Sequence, residues 1–192
     1  LPAGAGILHE EFHSAEFARR GGELKMIQLW VNLPAKNKMT APGYQSIEAA
    51  AIPTVRLPES NGSLRVIAGR YQDAVGPAST FSPLNVWDVQ LAQDNEFSFA
   101  QPEGWSTALV VLEGSVTVNG SATAQEAQLV VLSQQGERVH LHASSDAKVL
   151  VLAGAPIDEP IVGYGPFVMN SKTEIDAAIR DFNSGRFGQI DA

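Results

Sequence analysis

The sequence predicts a mostly β protein that closes with one helix, and three observations predict it. Short apolar runs rich in strand formers recur between residues 64 and 152 at the spacing of a sandwich or barrel. Turn residues such as Glu113-Gly114 and Asn119-Gly120 separate them. Only beyond Asn170 does the apolar spacing change from strand-like to helical.

Taken in order, Ile27–Val31 (IQLWV) is a short apolar run that reads as a strand ended by Pro34. From Ala35 to Gly62 the chain carries Pro42, Gly43, Pro53, Pro58 and Asn61-Gly62, the composition of an extended connection, and a domain boundary is placed there. The strands expected next are Leu64–Ala68, Val86–Leu91, Ala108–Leu112, Val116–Val118, Leu129–Leu132, Val139–Leu141 and Lys148–Leu152. In the tail, Ser171 and Glu174 form a capping box. Ile175, Ala178, Ile179 and Phe182 make an apolar stripe that stops near Gly185, so a helix is expected to pack back onto the sheet. Trp30, Trp87 and Trp105 are read as core residues rather than a ligand cage.

Composition narrows the function classes. Hydrophobic residues make up 44% of 192, enough for a real core. Lys and Arg total 13 against 21 Asp and Glu, a formal charge of −8 that opposes a phosphate-binding footprint, so no direct nucleic-acid contact is expected. With no cysteine, disulfides, thiolate nucleophiles and Cys-ligated zinc are excluded, and any metal must be held by His and carboxylates. The longest apolar runs are too short to span a bilayer, so a soluble, cytoplasmic protein with no membrane partner is expected. The chain starts at Leu1 with no charged n-region and apolar stretch behind it, and the start is expected to be a truncation or cleavage product.

His9-Glu10-Glu11-Phe12-His13 holds two of the four histidines beside two carboxylates. As a helix it is an H-E-x-x-H zinc-peptidase motif, with His9 and His13 one turn apart and Glu10 as general base. As a strand it puts His9 and Glu11 on one face and Glu10 and Phe12 on the other. The flanks favour the strand: Pro2, Gly4 and Gly6 are poor helix residues, and no His lies between His13 and His140 to complete a zinc site. Glu16 and Glu23 stand in no convincing helical frame.

The opening AGAGILHEE (3–11), the run IQLWVNLP (27–34) and above all GAPIDEPIVGYGPFVMN (154–170) resemble the pirin family of the cupin superfamily. The resemblance covers essentially the whole chain and begins about a third of the way into the family pattern. It implies an all-β bicupin: residues 1–60 would be the remainder of the N-terminal metal-binding barrel plus linker, 61–155 the C-terminal barrel, and 156–192 a returning tail whose helix packs on the first barrel. It further implies Fe(II), or another divalent metal, in the N-terminal barrel. The ligands would be His9 and Glu11 together with two histidines of an H-P-H motif upstream of Leu1. Imidazole and carboxylate on alternate residues suit an ion that keeps positions open for O₂ or a chelating substrate. Glu10 and His13 become outer-face residues, with His13 able to orient a ligand.

In the second barrel, EGSVTVNG (113–120) resembles the end of the first cupin motif, but the positions where that motif carries His-x-His fall near Gln101 and Glu103. His140 and His142 share a strand face, a geometry open to metal, yet no third ligand is evident and surface or packing roles are expected. Ser79-Thr80 and Ser144-Ser145 lack a nucleophile-elbow setting, Gly163–Gly165 lacks a phosphate-loop lysine, and Arg19-Arg20 reads as a solvated turn beside Gly21-Gly22.

Two functions of different class follow from the resemblance. One is a quercetin 2,3-dioxygenase-type oxygenase, in which a flavonol and O₂ meet at the metal and Glu11 serves both as ligand and as base for the substrate hydroxyl. The other is an iron-dependent regulator that binds a protein partner, a transcription factor or a metabolic enzyme. An incomplete first barrel also leaves strand edges to be covered, by the missing N-terminal half as a separate fragment or by a second copy.

Overall fold

The computed structural model describes residues 1–58 and 62–190. Asn61, part of the turn expected at Asn61-Gly62, lies outside the described residues. The chain divides into two compact units, Leu1–Tyr44 with Asp158–Ala192, and Gln45–Ile157.

The Gln45–Ile157 unit is a two-sheet β structure, and its strands follow from alternation. In chain order they are β1 (Thr54–Arg56), β2 (Gly62–Ala68), β3 (Arg70–Tyr71), β4 (Ala74–Val75), β5 (Leu84–Leu91) and β6 (Glu96–Ala100). Then come β7 (Ser106–Glu113), β8 (Ser115–Val118), β9 (Ala122–Gln125), β10 (Leu129–Val131), β11 (Arg138–Ala143) and β12 (Ala147–Gly154). Along β2, β6, β7 and β11 the buried residues stand two apart, the period-2 signature of a half-buried strand. One antiparallel sheet runs β1-β2-β5-β12-β7-β10 and the other β6-β11-β8-β9. The inward residues of both, among them Leu64, Val66, Trp87, Val89, Phe97, Phe99, Leu109, Val116, Leu141 and Val149, form one apolar core. Trp87 meets Tyr71 and Phe99 edge-on at 5.3 and 5.6 Å between ring centroids, an arrangement favoured by the ring quadrupoles.

The turns match their chemistry. Asn119 and Gly120 both take positive φ between β8 and β9, as a primed hairpin turn requires. Gly114 turns β7 into β8 with φ of 73°, and a Cβ there would run into the Asp146 carbonyl.

The other unit holds helix α1 (Ala15–Arg20), the hairpin β13 (Val162–Tyr164) and β14 (Phe167–Met169), and helix α2 (Lys172–Asn183). The capping box forms as expected: Ser171 Oγ accepts from the Glu174 amide, and Glu174 Oε2 accepts in return from the Asn170 amide and the Ser171 hydroxyl. Within this unit α2 packs on the β13–β14 hairpin, with Ile175 buried and Phe182 edge-on to Phe167 and Phe187.

Several expectations need correction here. The run Ile27–Val31 forms no strand, and Trp30 is 64% exposed rather than in a core; strand propensity needs a neighbouring strand to pair with, and the described residues of this unit offer that run none. Arg19-Arg20 is the last turn of α1, where cations complement the helix dipole, and not a loop turn. The tail is also not the only helix, and Glu16 stands in the first turn of α1 after all.

A polar clasp joins the two stretches of this unit. Glu159 Oε2 accepts from the Ala35 amide at 2.6 Å and the Asn170 carboxamide at 3.4 Å, and the buried Lys38 donates to Asn32 Oδ1. Burial holds the Lys38 ammonium below its ordinary 10.5, opposed by the nearby Glu159 and Glu174 carboxylates. Charged Lys38 therefore costs stability at neutral pH, and that cost disappears as pH rises through its folded pKa toward 10.5. Glu159→Ala removes a charge-assisted bond to a backbone amide and one of the two anions facing Lys38. It is expected to cost about 2–3 kcal/mol, read as a lower urea midpoint, and to lower the Lys38 pKa further.

Candidate metal centre

The chain leading to His9 is pinned by its backbone. Ala5 N–H donates to the Thr40 carbonyl, Gly6 N–H to Ala3, and Leu8 N–H to Phe187. Gly6 has φ of 116° and lies under the Phe187 ring, so any side chain there would overlap the ring. The glycines that spoil a helix in the sequence are thus the residues that let the tail close over the N-terminal stretch.

Residues 9–13 are not helical: α1 begins only at Ala15, capped by Ser14, whose Oγ accepts from the Phe17 amide. The H-E-x-x-H geometry is therefore absent. Nor is the segment a strand, because the described residues give it no ladder partner. His9 and Glu11 still come together, with Nδ1 and Oε1 4.0 Å apart and side chains 47% and 66% exposed. His13 sets its ring edge-on against Phe17 at 5.6 Å.

Neighbouring donors about 2.1 Å from one ion stand about 3.0–3.4 Å apart, so His9 and Glu11 at 4.0 Å would have to close by several tenths of an ångström to share one divalent site. They do not complete it. Among the described residues no group of three or more His, Asp or Glu converges on a point where an ion would sit.

Among the described residues the second unit gathers no interior set of metal donors. Gln101, near where a cupin motif would carry its histidines, is a buried amide whose Oε1 accepts from Asn85, and the space inside is filled by the aromatic and aliphatic core. His140 and His142 alternate with buried Val139, Leu141 and Ala143, so both project from the outer face of the four-stranded sheet. There the sheet order puts Glu96 and Ser98 beside them: Ser98 Oγ is 2.8 Å from His140 Nδ1 and Glu96 Oε1 is 3.8 Å from His140 Nε2. Sequence spacing gives no hint of this, because β6 and β11 are some forty residues apart and meet only through the strand order.

The two antiparallel sheets, the filled core and the motif remnant at 113–120 define a cupin domain. The chain belongs to the pirin family: the model of the pirin C-terminal cupin domain matches residues 86–188. A Pseudomonas aeruginosa protein provisionally named a quercetin 2,3-dioxygenase is 52% identical over 187 residues, covering 97% of this chain and 65% of that protein. Pirin-1 of Arabidopsis thaliana is 36% identical, covering 98% of this chain and 64% of that one. The crystal structure of a quercetin 2,3-dioxygenase from Acinetobacter baumannii superposes with a TM-score of 0.95 at 55% identity, covering 98% of this chain and 66% of that one. The chain thus spans about two thirds of the length of these relatives.

Proposed function

We propose that the whole protein is an iron-dependent quercetin 2,3-dioxygenase-type enzyme and that this chain contributes His9 and Glu11 to its metal site. The likeness that supports this most is the Acinetobacter baumannii enzyme, 55% identical across nearly all of the chain. In this proposal the remaining donors, two histidines, lie outside these 192 residues, in keeping with the two-donor geometry of the His9–Glu11 pair. Iron bound there would supply the open positions at which a flavonol chelates and O₂ reacts. The residues of this chain have simpler tasks. His9 donates a ring nitrogen. Glu11 donates one oxygen and, with its second, takes the proton of the substrate hydroxyl, for which a carboxylate at hydrogen-bond reach is the suitable base.

The test is elemental analysis and O₂ uptake on the protein at the full length of its relatives. Near one iron per chain and flavonol-dependent O₂ consumption are expected. Iron without turnover, together with iron-dependent capture of a transcription factor or metabolic enzyme, would overturn the enzyme in favour of the regulator. No metal at all would overturn both.

A further inference from the structure

We propose that the outer face of the four-stranded sheet carries a second, separate divalent-metal site built from His140, His142 and Glu96. Two imidazoles and one carboxylate with positions left open are a donor set for Zn²⁺, Ni²⁺ or Cu²⁺. The register supplies what the sequence lacks, a third donor. Glu96 lies directly across from His142, and Ser98 directly across from His140. Residues so opposed hold their Cβ atoms about 4.5–5.5 Å apart, and His140 and His142 stand two residues apart on one strand, about 7 Å.

His140 is already set up as a ligand. Its backbone is fixed by Asn119, whose side chain accepts from the His140 amide and whose own amide donates to the His140 carbonyl. Ser98 Oγ stands 2.8 Å from Nδ1, and in the tautomer whose Nδ1–H donates to it the lone pair is left on Nε2, which faces Glu96 Oε1 across 3.8 Å. That gap would have to close by several tenths of an ångström to hold one ion about 2.1 Å from each atom. A ring held by a hydrogen bond through its far nitrogen is the usual support of a metal-bound histidine. The three donors do not converge as they stand. The site closes when the His142 side chain changes rotamer on this solvent-facing side of the sheet, an inexpensive motion for a side chain outside the core.

A serine nucleophile activated by the same His140 is the competing use of these residues. It fails on setting: Ser98 lies mid-strand in β6, not on the sharp strand-to-helix turn that exposes a hydrolase nucleophile. The cleft of about 590 Å³ bordered by Tyr71, Asp94, Glu96 and His140 leaves the ion open to solvent and small anions.

The experiment is calorimetric titration of Ni²⁺ into the untagged full chain carrying His9→Ala and Glu11→Ala, which removes the other donor pair. One equivalent is expected to bind. Adding His140→Ala or His142→Ala should weaken it at least about tenfold, Glu96→Gln should weaken it severalfold, and Glu96→Asp should restore part of the loss. Cu²⁺ in place of Ni²⁺ should give an electron-spin spectrum with splitting from two ring nitrogens. Because these positions lie outside the core, unchanged melting temperatures are expected and separate lost ligation from lost fold. Absence of binding, or binding indifferent to either histidine, would overturn the site.

Discussion

Trp87→Ala is expected to remove about 3–5 kcal/mol from the unfolding free energy of the Gln45–Ile157 unit, the largest stability loss of any single truncation in this chain. Trp87 is 2% exposed and lies at the centre of an aromatic cluster with Tyr71, Phe97 and Phe99. It is paired in register with Val66 on one side and Val151 on the other, so both strands flanking β5 lean on it. Deleting an indole from a packed interior leaves a cavity that the flanking strands cannot follow inward without breaking their ladders. Urea unfolding followed by far-ultraviolet circular dichroism should show a lower midpoint with little change of slope. Val131→Ala is the control: it is 72% exposed on an edge strand and should fall within about 0.5 kcal/mol of the parent. Equal losses from the two substitutions would mean that the aromatic cluster is not the core of this unit.

The same cluster shows why much of the fold was legible. Strands whose inner residues are large and aliphatic announce themselves by alternation, and each of the seven runs expected between 64 and 152 falls on a strand. β6 was missed although Glu96-Phe97-Ser98-Phe99 alternates plainly, because its outward residues are polar and it follows a turn-rich stretch. β1, β3 and β4 are too short to carry a period. α1 has no buried residue, so no apolar stripe marks it; Ser14 as cap, Glu16 in its first turn and Arg19-Arg20 in its last were the available signals. The opposite failure, Ile27–Val31, comes from reading propensity where pairing decides. Of the candidate metal residues, His9 and Glu11 could be found because local spacing brings them together, whereas the Glu96–His140 approach is a product of strand order and has no local trace.

In the protein at the full length of its relatives, His9→Ala is expected to abolish iron retention. The loss should exceed the roughly 10–100-fold typical of removing a group that only orients a ligand, because a donor itself disappears. Glu11→Gln keeps a neutral oxygen donor but surrenders the charge and the basic oxygen, so iron should be partly retained while flavonol-dependent O₂ uptake falls further than iron content does. His13→Ala separates the two ways of reading this segment. With the ring lodged against Phe17 and α1 starting only at Ala15, its removal should leave iron content near the parent's. Were the segment to rearrange into a helix on binding metal, His13 would become the partner of His9 one turn away. The order of effects would then reverse, with His13→Ala losing the metal and Glu11→Gln keeping it. Elemental analysis of the three variants therefore reads out the backbone conformation of residues 9–13 in the metal-bound protein, because alternate residues and residues four apart cannot serve one ion from the same local fold.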